Sequence, residues 1–347
     1  MKGAGKRVAI TSLAILLLTV FLGYFFLFAG NTEVFEDERG VFIPRDASLV
    51  AVSDSLESSG ILADASRFKL VARATGWGDQ IKSGFYEFES GASNVRLLDK
   101  LRKGLQTPVK VVIPPGLTKH SLARAVARNM EFEPEVFLAA MSDVELARTL
   151  GTDTTNLVGY ILPDTYNFYW QASPETVIRS IKKTFDDFYA DNATDNPAGM
   201  NLSAEEVNKV ASIVEWETAV EEEKARVAGV YLNRLRDRWL LDADPTIQFA
   251  IVEREGQKRR LFFRDYEIDH PYNTYKHPGL PPGPVTNPSR SSILSVINPE
   301  VHGYYFFVAN IDGTHTFSAT LRDHRRAAKK FHEAARLRRQ QAAALAE

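Results

Sequence analysis

The 347-residue chain contains no cysteine, which excludes disulfides, thiolate metal sites and a cysteine nucleophile. The absence fits an oxidising compartment without proving one. Charge of one sign is also scarce: 42 basic against 44 acidic residues leave a net charge of -2, so nothing here argues for a nucleic-acid partner. There is no H-E-x-x-H, Walker A, G-x-G-x-x-G or G-x-S-x-G sequence, which removes the common zinc-protease, P-loop, dinucleotide-binding and serine-hydrolase signatures. The seven histidines are scattered. His315 and His324 could share a metal with an acid, but isolated histidines more often serve in hydrogen bonds, and the expectation is neither metal nor cofactor.

What the chain does have is an almost unbroken apolar run from Val8 to Ala29, long enough to cross a bilayer. Lys2, Lys6 and Arg7 precede it, and Glu33, Glu36, Asp37 and Glu38 follow. The positive-inside rule then puts residues 1–7 in the cytoplasm, a transmembrane anchor at 8–29 and the remaining chain outside. A signal peptide cleaved near Ala29-Gly30 is the rival reading; the length of the run and the poor small-x-small pattern favour an anchor.

From Val34 to about Arg128 one unit recurs three times: a short strand, a turn, a Ser or Thr N-cap and a helix. The strands are Val41-Ile43, Phe85-Phe88 and Val109-Ile113, and the caps are Ser48, Ser93 and Thr118. Residues 34–128 thus resemble a LysM-like glycan-binding module, with a plain spacer as the alternative. Residues 130–200 read as mostly helical, ending in the polar run Asp191 to Pro197 as a boundary.

Ser203-Ala204-Glu205-Glu206 has the S-x-x-E form of a capping box, and Val207, Val210, Ala211, Ile213 and Val214 follow at helical spacing. Glu217 falls on this apolar face, Glu215 on its shoulder and Trp216 on the other side; Thr218 to Glu221 suggests a new helix start. A carboxyl group against an apolar wall at a helix C-terminus is disfavoured as an anion, so it can keep a proton near neutral pH and donate it. A buried glutamate paired with Arg226 or Arg234 is the competing reading.

A helix from Glu221 to about Arg236 comes next, with Val227, Val230, Tyr231 and Leu235 inward. Asp242 to Phe249 reads as a proline-interrupted loop, and the Pro-Gly-rich stretch Gly279 to Pro288 as irregular backbone. Tyr304 to Ala309 reads as a buried strand, Asp312-Gly313 as a hairpin turn, and the basic, alanine-rich residues 326–347 as a solvated helix.

Ala-Ser-Ile-Val-Glu-Trp-Glu-Thr (211–218), Val-Ala-Gly-Val-Tyr-Leu-Asn-Arg-Leu (227–235), Asp-Pro-Thr-Ile-Gln (244–248), Pro-Tyr-Asn-Thr-Tyr (271–275), Gly-Leu-Pro-Pro-Gly-Pro (279–284) and Gly-Thr-His-Thr-Phe (313–317) together resemble the endolytic murein transglycosylases, the MltG or YceG-like family. The resemblance implies an α+β protein: one transmembrane helix, the small LysM-like α/β module, then a mixed α+β catalytic domain over 130–325 with its core at 203–325. It implies an inner-membrane, periplasm-facing enzyme that cuts peptidoglycan glycan strands within the chain, and a possible association with glycan polymerases or penicillin-binding proteins. The second glutamate of E-x-E-T, here Glu217, is the family's acid/base. Asn233, Asp244, Thr246, Gln248, Asn273, Thr274 and Tyr275 are the candidate groove residues, with bracing of the loops as their alternative role. Two departures stand out: Trp216 where the family usually has lysine, and Asp242-Ala243 where it usually has glutamine and a hydroxyl residue. The extra Asp242 keeps a muramidase reading open, with Asp242 or Asp244 as second carboxylate, beside a non-catalytic peptidoglycan-binding scaffold.

Overall fold

Lys2 to Phe28 forms one helix, α1, whose stretch from Lys6 to Phe28 is long and apolar enough to cross a membrane and is not buried by the rest of the protein. It belongs to a computed structural model that describes residues 2–193 and 200–344. Of the polar run singled out above, Thr194 to Pro197 lie outside the described residues. The chain is mixed α+β and divides into two units: Met1–Lys110 with Asn129–Glu131 and Asn167–Ala172, and Val111–Arg128 with Phe132–Tyr166 and Ser173–Glu347.

In the first unit β1 (Arg39–Ile43) pairs antiparallel with β2 (Gly84–Phe88), Arg39 opposite Phe88 and Ile43 opposite Gly84. Alternation along both strands turns Val41, Ile43, Tyr86 and Phe88 inward. Between them run α2 (Leu49–Ser58) and α3 (Ala65–Thr75), and α4 (Asn94–Lys103) follows β2. The caps are local: Ser48 accepts from the Ala51 N–H, Asp64 from Arg67 and Ser93 from Arg96. Leu56, Phe68, Leu97, Leu98 and Leu101 close the core, each contributing roughly 1.5–3 kcal/mol by burial. The strand-cap-helix unit is present with Ser48 and Ser93 as caps, Thr118 takes the cap position of its helix without a side-chain bond, and α3 is an addition that the repeat pattern did not contain.

Next along the chain are β3 (Val109–Ile113), α5 (Lys119–Ala127), α6 (Pro134–Ala140), α7 (Val144–Thr149), β4 (Asp164–Phe168), which pairs with β3, and α8 (Pro174–Asn192). The core of the second unit is built on α9 (Ala204–Glu217), α10 (Glu221–Arg236) and the later α12 (Arg290–Ile297). The capping box forms as read: Ser203 Oγ accepts from the Glu206 N–H, and Glu206 accepts from the Ser203 N–H at 2.8 Å. Val210, Ile213, Val214, Val227, Tyr231, Ile293 and Val296 meet in one buried cluster.

Asp242 to Phe249 is not a loop. Helix α11 (Asp244–Glu255) begins there, with Pro245 in its first turn, where the missing N–H breaks no bond. Residues 279–288 are irregular, as expected. Val285 N–H donates to Ser212 Oγ at 3.0 Å, and Gly159 lies so close that an added Cβ would sit 2.6 Å from Pro284 Cγ. The hairpin β5 (Phe306–Ala309) and β6 (His315–Ser318) turns at Gly313, which has a φ of 88°. Phe306, Phe307 and Val308 are half-buried and Ala309 is exposed, so the strand expected to be buried is not, because two strands alone have no second sheet to cover them. The final helix α13 (Leu321–Ala344) packs His324 flat on Phe306, with ring centroids 5.4 Å apart, and leaves Arg322, Arg325, Arg326, Lys329 and Lys330 exposed.

Candidate active site

Glu217 is the last residue of α9, and Thr218 caps that helix through its N–H on the Val214 carbonyl. Thr218 Oγ1 accepts from the Val220 N–H, so the chain reverses within three residues into α10. The Thr218-to-Glu221 capping box does not form; Val220 occupies the cap position without a side-chain bond. The reversal aims Glu217 at α10, where Tyr231 O–H donates to Glu217 Oε2 at 3.2 Å.

Burial raises the Glu217 carboxyl to about 7, the negative charge of Asp244 adds to the rise, and the Tyr231 bond and the Arg234 charge act against it. Tyr231 itself is held well above the ordinary tyrosine range, first by burial and then by Glu217, so it is a fixed donor. Neither arginine of the competing reading pairs with Glu217. Arg226 binds Glu300 at 2.9 Å. Arg234 donates to the carbonyls of Tyr305 and Leu241 at 2.7 Å and reaches Asp242 at 3.5 Å.

Two residues earlier, Glu215 stands in a different environment. Its Oε2 accepts from the Ser289 N–H, Ser289 Oγ and Ser292 Oγ, with Lys224 Nζ at 3.8 Å. That carboxylate is saturated by donors from the start of α12, whereas Glu217 has one donor and an adjacent anion. With its carboxyl raised to about 7, Glu217 has the proton affinity of a general acid.

Asp244 opens α11 and accepts from Tyr275 O–H at 2.6 Å; Tyr266 is a second hydrogen-bonding partner. The two tyrosine rings meet edge-on at 4.7 Å. Asp242, with a left-handed φ of 45°, is pushed up by burial and lies against Arg234. Asp244 and Tyr275 therefore join Glu217 and Tyr231 in one cluster of carboxyl and phenol groups.

The other candidate groove residues brace loops. Thr246 and Thr274, both buried, share a hydroxyl contact of 3.0 Å; Thr274 Oγ1 accepts from the Ala243 N–H, and Thr246 donates to the Ala243 carbonyl. Buried Asn273 ties the Tyr266 and Ile268 carbonyls to its own turn. Asn233 donates to the carbonyls of His302 and Tyr304. Gln248 donates to the Arg259 carbonyl, and its Oε1 is buried with no hydrogen-bond partner. His315 and His324 are apart in role: His315 Nδ1 lies 2.7 Å from Glu223 Oε2, and His324 stacks on Phe306.

Sequence reading passed over Tyr231 and Tyr266. Tyr231 lay in an apolar stripe, yet a buried tyrosine hydroxyl needs a polar partner, and that was the available signal. Tyr266 carried no local signal.

Residues 41–330 match the sequence profile of the YceG-like family. The chain belongs to that family. This YceG-like chain is 27% identical over 307 residues to the endolytic murein transglycosylase of Bacillus subtilis strain 168, covering 83% of each protein. It is 29% identical over 320 residues to the protein of the same name from Streptococcus pneumoniae strain D39, covering 82% of this chain and 57% of that one. The chain thus spans little more than half the length of the streptococcal relative. A crystal structure of a yceG-like protein from Listeria monocytogenes superposes with a TM-score of 0.57 at 28% identity, covering 83% of this chain and 98% of that one.

Proposed function

We propose that this protein is an endolytic murein transglycosylase in which Glu217 is the sole acid/base. The observation that carries the reading is the Glu217 carboxyl held near 7 at the end of α9, beside Asp244 and under the Tyr231 hydroxyl. Glu217 protonates the glycosidic oxygen between N-acetylmuramic acid and N-acetylglucosamine as the bond to C1 breaks. The carboxylate then takes the proton of the muramic C6 hydroxyl while O6 bonds to C1, closing a 1,6-anhydro ring. One carboxyl serves both steps because the nucleophile belongs to the substrate, and the tethered hydroxyl has a high effective concentration. Tyr231 stabilises the carboxylate between the two transfers, and Asp244 favours its return to the acid.

The groove would be formed by Asp244 and Tyr275 around Glu217, on a frame braced by Asn233, Thr246, Gln248, Asn273 and Thr274. Residues 8–29 would anchor the chain in the inner membrane with the catalytic unit in the periplasm, a reading supported by the cations before α1 and the acids after it. A LysM-like, glycan-holding role for the first unit is supported by its two-stranded sheet and capped helices. Termination of growing strands beside glycan polymerases follows from the endolytic reading.

The test is mass spectrometry of glycan fragments after incubating the protein with peptidoglycan, beside Glu217→Gln. Anhydro-muramic ends from the wild type alone are expected. Reducing ends would replace the reading with a muramidase that uses Asp244, and intact strands with glycan still bound would leave a scaffold.

A further inference from the structure

The residue between the two glutamates, Trp216, carries a cation on its face. Lys258 Nζ, from the loop after α11, sits 3.4 Å from the centroid of the Trp216 ring. The ring is fixed: its Nε1–H donates to the Gly116 carbonyl at 2.9 Å. Gly116 in turn is held by Asn287, whose carbonyl accepts from the Gly116 N–H and whose side chain accepts from the Leu117 N–H at 2.7 Å. Trp216 is therefore a rigid platform one residue from Glu217, and Lys258 lies on it.

Several other cations of the second unit have carboxylate partners, although among the described residues Arg260 and Arg264 do not. Lys224 binds Glu221, Arg226 binds Glu300, Arg234 reaches Asp242, Arg259 binds Glu255 and Asp265, and Lys276 binds Glu267. Among the described residues Lys258 has no carboxylate within ion-pair distance. Although the side chain as a whole is exposed, lost hydration at its ammonium lowers the group to about 8, so it still carries its charge at neutral pH. A cation desolvated on an aromatic face without a counter-ion gains by meeting an anion, which restores the missing partner and draws its proton affinity back up.

We propose that Lys258 on Trp216 is a carboxylate-recognising subsite, which reads the acidic groups of the murein strand. The inference rests on the murein reading above. Its ligand chemistry is a carboxylate, with two sources: the lactyl group of a muramic residue without its peptide, or the free carboxylates of an intact stem peptide. It gives the chain a means of separating murein from uncharged polymers of N-acetylglucosamine, which offer the same acetamido groups and no acid.

The test measures binding to catalytically silent Glu217→Gln protein, with and without Lys258→Met, by calorimetry at pH 7. Three probes separate the sources: a glycan stripped of peptides, a glycan with intact stem peptides, and a chitooligosaccharide. Lys258→Met should weaken an acid-bearing probe by roughly tenfold to a hundredfold, in line with loss of one charge-assisted hydrogen bond, and leave the chitooligosaccharide unchanged. Loss confined to the stripped glycan assigns the lactyl carboxylate; loss confined to the peptide-bearing glycan assigns the stem. Lys258→Arg should retain most of the preference, and in the Lys258 protein the preference should fade above pH 8 as the ammonium deprotonates. Equal weakening of all three probes, or none, overturns the inference. Because this readout is binding, failure of the wild type to cleave would strike the reaction and not the subsite.

Discussion

Replacing Asp244 by Asn tests the electrostatics of the site directly. The substitution keeps the shape and an acceptor for Tyr275 while removing the charge that, after burial, most raises Glu217. With its carboxyl at about 7, roughly half of Glu217 is protonated at pH 7. At the ordinary value near 4.5 the fraction would be roughly 0.3%, a difference of about 150-fold in competent acid. Burial, the larger cause, survives in the variant, so the expected fall is about one unit. At pH 7.5 that takes the protonated fraction from roughly 24% to roughly 3%, about an eightfold loss in kcat. The assay is the pH profile of kcat at saturating murein fragments, read as anhydro ends. The alkaline limb should move to lower pH in Asp244→Asn and to higher pH in Tyr231→Phe, which removes the donor that favours the carboxylate. An unmoved limb in both, or movement in the same direction, would refute the reasoning.

Glu217 also couples stability to pH. Its folded value lies above that of an exposed glutamate, so the contribution is complete below pH 4.5 and lost as pH rises through about 7. Glu217→Gln should therefore unfold at higher urea than wild type at pH 8, by an upper limit of about 3 kcal/mol, and show no advantage below pH 4.5. A variant no more stable at pH 8 would speak against a destabilised anion there. Asn287, fully buried, binds the Leu117 N–H and the Pro114 and Ile161 carbonyls, so Asn287→Ala should lower unfolding stability by about 2–4 kcal/mol at unchanged denaturant slope.

Local chemistry was legible in the sequence where one element contains its own partner. The Ser203–Glu206 capping box, the turn at Gly313 and the apolar face that presents Glu217 are all relations within a few residues. Pro245 misled because proline was taken to interrupt a helix that it begins. The bracing duties of Thr246, Asn273 and Thr274 were not legible, because a polar side chain in an irregular stretch looks the same whether it faces a ligand or a carbonyl. Partners far apart in the chain were invisible for the same reason: Tyr231 with Glu217 spans 14 residues, and Lys258 with Trp216 joins a loop to a helix end.

The bond between Leu117 and Asn287 closes a span of 170 residues. During synthesis the amino-terminal loop exists long before its clamp emerges, and closing so long a span comes late in folding. Trp216 leans on that loop, and Glu217 is the next residue of its helix. A nascent or truncated chain that stops short of Asn287 would therefore carry Glu217 without the clamped loop on which its neighbour Trp216 leans.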